Sequence, residues 1–242
     1  MKVTRLLWDM PITVAVEDTG VTEADINKIY EYFTEVDKIF STFKADSEMS
    51  QINRGEIKPE DASTEMKEVL KLSEQTRQET GGYFDIHRDG QLDPLGLVKG
   101  WAVQRAAEKL RKMGYNRFFI DAGGDIQTAG KNWIVGIRNP FNRKENVQIM
   151  KLWGEGIATS GTYIRGQHVV NPKKPGGKIT DIVSLSVIGP NVYEADRMAT
   201  AAFAMGKKGI EFISRQPQLS GYMIDINGVA TMTPGWKKYA AN

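Results

Sequence analysis

Cysteine is absent from the 242-residue chain, and histidine occurs only at His87 and His168. Without cysteine there is no disulfide framework, no thiolate zinc or iron–sulfur site, no nucleophilic thiol and no cysteine-linked lipid. With so little imidazole, a metal site would draw mainly on oxygen ligands, which suits magnesium or calcium better than zinc. Excess charge is also missing: 32 Lys+Arg face 30 Asp+Glu, leaving +2, too little to argue for nucleic acid. No window approaches the roughly 18 uncharged apolar residues of a membrane-spanning helix. The stretch Met1 to Val16 carries Lys2, Arg5 and Asp9 and has no secretory-signal pattern, so a cytoplasmic location is expected.

What is present is a globular balance, with 40% hydrophobic residues, 24 glycines and 9 prolines. Ile12, Val14 and Val16 alternate as in a half-buried strand. Thr22 and Asp25 make a capping-box pattern ahead of Ile26, Ile29, Phe33, Val36 and Phe40 at helical spacing. Ser41 to Pro59 reads as irregular, and a second helix is expected from about Thr64 to the stop at Gly81-Gly82. Tyr83 to Ile86 reads as a short strand, and Leu97 to Met113 as a third helix. Short strands follow at Arg117 to Asp121, Ile126 to Ala129, Trp133 to Ile137, Val147 to Trp153, Gly156 to Thr159, His168 to Val170 and Ile182 to Ile188. Asn191 and Glu194 cap a helix to about Met205, and Gly209 to Ser214 reads as helical. Tyr222 to Ile226 and Val229 to Met232 form an expected hairpin. Hairpin-like pairs mixed with helices, without regular strand–helix alternation, predict an α+β fold with mostly antiparallel sheets. No linker divides the chain, so a single domain over residues 1–242 is expected.

Four segments can carry chemistry. The helix beginning at Asn191 is apolar nearly all round, except that Asp196 and Thr200 stand one turn apart on one face. A buried carboxylate must be paired or must hold a cation. Spacing alone leaves open a basic partner for Asp196 with a back-bonded Thr200, or two oxygen ligands for a hard cation. Leu92 to Trp101 opens the third helix with Asp93, Gly96, Lys99 and Gly100, so it reads either as a capped surface helix or as a phosphate-facing start. Asp121-Ala122-Gly123-Gly124-Asp125 is a turn between strands. Thr159-Ser160-Gly161 and, further on, His168 offer hydroxyls and a proton acceptor, with a structural histidine as the alternative.

In this order the segments resemble the FAD:protein FMN transferases, the ApbE-like flavin transferases. That family's L-D-L-G-G-I-A-K-G-Y-A-V is echoed by Leu92 to Val103, its N-A-G-G-D-I by Asp121 to Ile126, and its T-S-G-x-Y followed by H-I-I-D-P by Thr159 to Tyr163 and His168 to Pro172. Its E-A-D-x-x-x-T stands unchanged at Glu194-Ala195-Asp196 and Thr200. Phe40 to Phe43, Ser47 to Asn53 and Phe84-Asp85-Ile86 look like its F-S-x-Y, S-E-L-S-x-L-N and F-D-I. The departures are Pro11-Ile12-Thr13 after Met10, where the family has Gly-Thr, and Phe43 for Tyr and Asn171 for Asp.

The resemblance implies magnesium-dependent transfer of FMN from FAD to a Thr or Ser hydroxyl of an acceptor flavoprotein, through a phosphoester, with release of AMP. It places metal ligands at Gly96 (main-chain carbonyl), Asp196 and Thr200, and FAD contacts at Met10, Phe43, Phe84, Asp85, Asp93, Lys99 and Val170. His168 is the candidate acceptor of the hydroxyl proton, and Ser160 with Thr159 the candidates for steadying the phosphate. Only seven residues separate Asp85 from Asp93, where longer members carry an insertion that helps enclose the flavin. A compact variant follows, with a more open pocket or one completed by a homodimer partner or the protein substrate. The same site would serve an FAD pyrophosphatase yielding FMN and AMP, or a protein that binds FAD without reacting it.

Overall fold

Alternating burial in β2 (Met10–Val16) sets the layout: Ile12, Val14 and Val16 are fully buried, while β1 (Lys2–Leu7) beside it is a largely exposed edge. The structure is a computed structural model and describes residues 1–142, 144–162, 169–174 and 176–241. The next elements are α1 (Glu23–Phe40), α2 (Glu48–Asn53), α3 (Thr64–Glu79), β3 (His87–Arg88), β4 (Gln91–Leu92) and α4 (Leu95–Lys112). They are followed by β5 (Phe118–Ala122), β6 (Asp125–Ala129), β7 (Trp133–Arg138), β8 (Asn146–Leu152), β9 (Gly156–Gly161), β10 (Ile182–Gly189), α5 (Val192–Ala204), α6 (Gly209–Ser214), β11 (Ser220–Asp225) and β12 (Ala230–Met232).

Eight strands form one antiparallel sheet in the order β1-β2-β5-β6-β9-β10-β11-β12. The helices cover one face. There Ile12, Val14, Phe118 and Ile120 pack with α1, α3 and α4, and Ala158, Leu185 and Val187 pack with α5 and α6. Ile157 and Ile188 point to the other face, under the β7–β8 hairpin and Trp236. Each buried Val, Leu, Ile or Phe side chain among these contributes about 1.5–3 kcal/mol. The α+β, antiparallel expectation therefore holds. Among the described residues no helix is long and apolar enough to cross a membrane.

Both expected N-caps set helix starts, but only the first is a reciprocal box, since the Glu194 carboxylate accepts from Arg197 instead of from the Asn191 N–H. Thr22 Oγ1 accepts from Asp25 N–H, whose carboxylate accepts from Thr22 N–H, and Asn191 Oδ1 accepts from Glu194 N–H. Two expectations need correction. Tyr83 to Ile86 is not a strand: Gly81 and Gly82 have positive φ, and Phe84 N–H donates to Thr80 Oγ1, so the chain turns off α3 instead of extending. The segment expected irregular after Phe40 contains α2, capped by Ser47 Oγ. Of the strand expected at 168–170, Val170 makes only an isolated bridge to Lys178, and His168 lies outside the described residues.

Candidate active site

Helices α4 and α5 cross antiparallel at two glycines. A Cβ on Gly100 would lie 2.7 Å from Asp196 Cβ and 2.9 Å from the Val192 carbonyl, and one on Gly96 would lie 3.3 Å from Thr200 Cγ2. The missing side chains are what let Asp196 and Thr200, one turn apart on α5, press against the α4 main chain. Gly100 N–H, whose regular helical acceptor would be the Gly96 carbonyl, donates to Asp196 Oδ2 at 2.8 Å. The Gly96 carbonyl accepts from Thr200 Oγ1 at 3.3 Å. Carboxylate, hydroxyl and carbonyl thus converge from residues about a hundred positions apart, and Thr200 does not bond back to its own helix.

Asp196 is 5% exposed. Burial pushes its carboxyl well above the ordinary range; Lys99 opposes that shift and the negative charge of Asp125 adds to it. Lys99 is already committed to an ion pair with Asp125 Oδ2, lying off the hydrogen-bond direction of that oxygen. Asp125 Oδ1 accepts from Thr159 N–H at 3.1 Å. Asp125 sits at the end of the Gly123-Gly124 turn, where both glycines have positive φ and a Cβ on Gly123 would meet Met10 Sδ at 2.8 Å. Burial also raises the Asp121 carboxyl in the same turn, with Asp125 contributing.

Beside this cluster lies a cavity of about 270 Å³, close to the lower limit for a small-molecule site and large enough for one ring system. Met10, Phe43 and Lys99 line it, together with Leu95 and Val98 of the same α4 turn. Phe43 is 89% exposed at its rim. Phe84 is buried behind the start of α4, its ring 3.6 Å from where a Gly96 Cβ would stand.

Asp85 and Asp93 flank the β3–β4 hairpin, whose two-residue turn, Asp89-Gly90, has positive φ at both positions. Asn53 clamps this hairpin with two hydrogen bonds to Leu92. Asp85 Oδ1 accepts from His87 N–H at 2.9 Å. Asp93 Oδ1 accepts from Leu95 N–H at 3.2 Å, so it braces the first turn of α4, while Pro94 holds the cap position without a side-chain bond.

The alternation of β9 separates the two candidate hydroxyls. Ser160 shares the α5 face with Ala158, whereas Thr159 Oγ1 is paired with Ser186 Oγ at 2.8 Å on the other face. Thr159 reaches the site through its main-chain N–H. Val170 is half-buried at its isolated bridge, and no contact joins it to the cavity. Sequence reasoning passed over Asp125 and Gly100 as individual contributors, although both stand in the quoted motifs; the signal would have been a second acid and a second glycine at fixed offsets from the first.

The ApbE family model matches residues 8–89 and 87–223. The FAD:protein FMN transferase of Escherichia coli (strain K12) is 28% identical over 168 residues, covering 62% of this chain and 48% of that protein. The protein of the same name from Salmonella typhimurium is 30% identical over equal shares. The chain thus spans about half the length of these curated relatives. The flavin transferase ApbE of Vibrio cholerae superposes with a TM-score of 0.86 at 20% identity, covering 99% of this chain and 98% of that one. The ApbE protein of Thermotoga maritima does so with 0.89 at 18% identity, covering 100% and 99%. A family model that accounts for most of the chain, over a fold shared nearly end to end, establishes that the chain belongs to the ApbE family.

Proposed function

We propose that residues 1–242 act as one unit that transfers FMN from FAD to a Thr or Ser hydroxyl of an acceptor flavoprotein, leaving AMP. The observation that carries this reading is the meeting of Asp196, Thr200 and the Gly96 carbonyl at the α4–α5 crossing, in a family whose curated members bear that activity in their names. Among the described residues no three His, Cys, Asp or Glu side chains group to hold a metal. The oxygen set at the crossing suits Mg²⁺, which is commonly held by one or two carboxylates plus substrate phosphates. A buried carboxylate whose nearest cation is shared with Asp125 fits the same ion. When bound, Mg²⁺ would neutralise charge across the diphosphate of FAD.

The chain's own residues supply the rest. Asp196, Thr200 and the Gly96 carbonyl hold the ion, while Lys99 and the start of α4 face the diphosphate. Met10 and Phe43 border the ring-sized cavity, Phe84 and Asp93 fix the start of α4, and Asp85 braces the hairpin that leads into it. Ser160 steadies the transferred phosphate from the α5 face, and Thr159 does so indirectly, holding Asp125 through its N–H. The acceptor oxygen attacks the phosphorus attached to the riboflavin moiety. The bond from that phosphorus to the bridging oxygen breaks, the electron pair leaves with AMP, and the hydroxyl proton passes to His168.

Incubating the protein with FAD, Mg²⁺ and a flavoprotein carrying the acceptor hydroxyl tests the reading by mass spectrometry. The expected result is an FMN-sized addition to the acceptor with one AMP per adduct. FMN and AMP without an adduct would establish a pyrophosphatase instead, and unchanged FAD a binding protein.

A further inference from the structure

Three described non-glycine residues have positive φ: Trp8 (54°), Asp9 (55°) and Asp89 (51°). Asp89 precedes a glycine in an ordinary hairpin turn. Trp8-Asp9 is different. It is the two-residue turn between Leu7 and Met10, left-handed at both positions and without a glycine at either. Asn-Gly would make the same turn with little strain, whereas a bulky residue in this conformation is an outlier. The Trp8 indole packs edge-on against Phe33, with centroids 5.3 Å apart, yet its buried Nε1–H has no hydrogen-bond partner. Strained backbone clusters at active sites and ligand clamps, and an unpaired buried donor calls for an explanation. Both residues of this turn border the cavity that Met10, Phe43 and Lys99 line.

We propose that the Trp8-Asp9 turn is a ligand-holding element, in which the Trp8 indole walls a slot for a flat heteroaromatic ring carried on a diphosphate. The exposed ring of Phe43 stands at the rim of the same slot, and Lys99 marks the side on which the diphosphate lies. This rests on FAD being the substrate; its isoalloxazine and its adenine both have the required chemistry, and the experiment distinguishes them.

Binding of FAD, FMN and ADP by the full chain, measured by calorimetry for wild type, Trp8→Leu and Trp8→Phe, provides the test. FAD affinity should fall at least tenfold in Trp8→Leu and a few-fold in Trp8→Phe. Either FMN or ADP should weaken in step, and the other should stay within twofold, which names the ring. FAD affinities within twofold of wild type in both variants would overturn the proposal, as would equal weakening of FMN and ADP. If Trp8→Leu does not fold, tryptophan emission decides: bound FAD should quench a component present in wild type and missing from Trp8→Phe, and identical quenching in the two would refute the contact. A wild-type chain that binds no FAD would instead remove the proposed function, and this inference with it.

Discussion

Asp196 and Arg197 are consecutive in α5 and almost equally buried, at 5% and 6% exposure, but their surroundings are opposite. Arg197 is saturated: its guanidinium donates to Glu194, Glu79 and Thr76 Oγ1 and lies 5.4 Å from the Tyr193 ring centroid. Asp196 has one main-chain N–H and a share of Lys99. A buried charge with partners on every side ties a helix into the fold. One left short of counter-charge marks a place where an ion or substrate completes the structure. The contrast therefore separates scaffold from proposed active site within two residues.

Replacing Arg197 gives the largest stability effect. Arg197→Met removes the guanidinium that Glu79 and Glu194 share and should cost roughly 3 kcal/mol, the lower end of the range for a broken buried pair. At this chain length that is about 6–12 °C in Tm by calorimetry; a loss below about 2 °C would mean the cluster is not structural. Next comes Gly100→Ala. Its methyl group collides with Asp196 and the Val192 carbonyl, so the helices must part, at about 1–3 kcal/mol with a matching fall in chemical-denaturation midpoint. The same change at Gly55, where no atom lies within 4 Å, is strained only by its positive φ and should leave turnover unchanged.

Acid should act on the Arg197 side more weakly. Burial raises the Glu79 carboxyl, but its hydrogen bonds to Arg197 and Gln75 and the Arg197 charge together outweigh that and leave it below its ordinary value of 4.5. The pair's contribution is therefore fully present above that value and is lost as pH falls through the depressed one. Partial exposure keeps the effect under about 1 kcal/mol, and unfolding curves of Arg197→Met should lack this component. Smallest is Asp196→Asn, which keeps an acceptor for Gly100 N–H and removes an under-compensated charge. Its Tm without Mg²⁺ should equal or slightly exceed that of wild type, the reverse of its neighbour.

The site was legible in the sequence as far as local periodicity reaches. The i,i+4 spacing of Asp196 and Thr200 put two oxygens on one helix face, and the apolar residues around them predicted burial. That Gly96 and Gly100 present a matching notch is a tertiary fact, with the two elements about a hundred residues apart. The Lys99–Asp125 pair was hidden for the same reason, because each residue alone reads as a surface charge or a turn. Among the secondary elements, β1 was missed because its exposed Lys2, Thr4 and Arg5 give no apolar alternation, and α2 because six residues are too few to show a helical period. Tyr83 to Ile86 had strand-like composition, but the positive-φ glycines before it redirected the backbone.

The central claim is that the α4–α5 oxygen set holds the ion on which FAD chemistry depends. AMP release from FAD as a function of Mg²⁺ concentration, compared between wild type and Asp196→Asn of confirmed fold, tests it most directly. The account predicts saturable Mg²⁺ dependence in wild type and a turnover at least 10³-fold lower in the variant at every Mg²⁺ concentration. A variant that releases AMP with the wild-type rate and the wild-type Mg²⁺ dependence would contradict it.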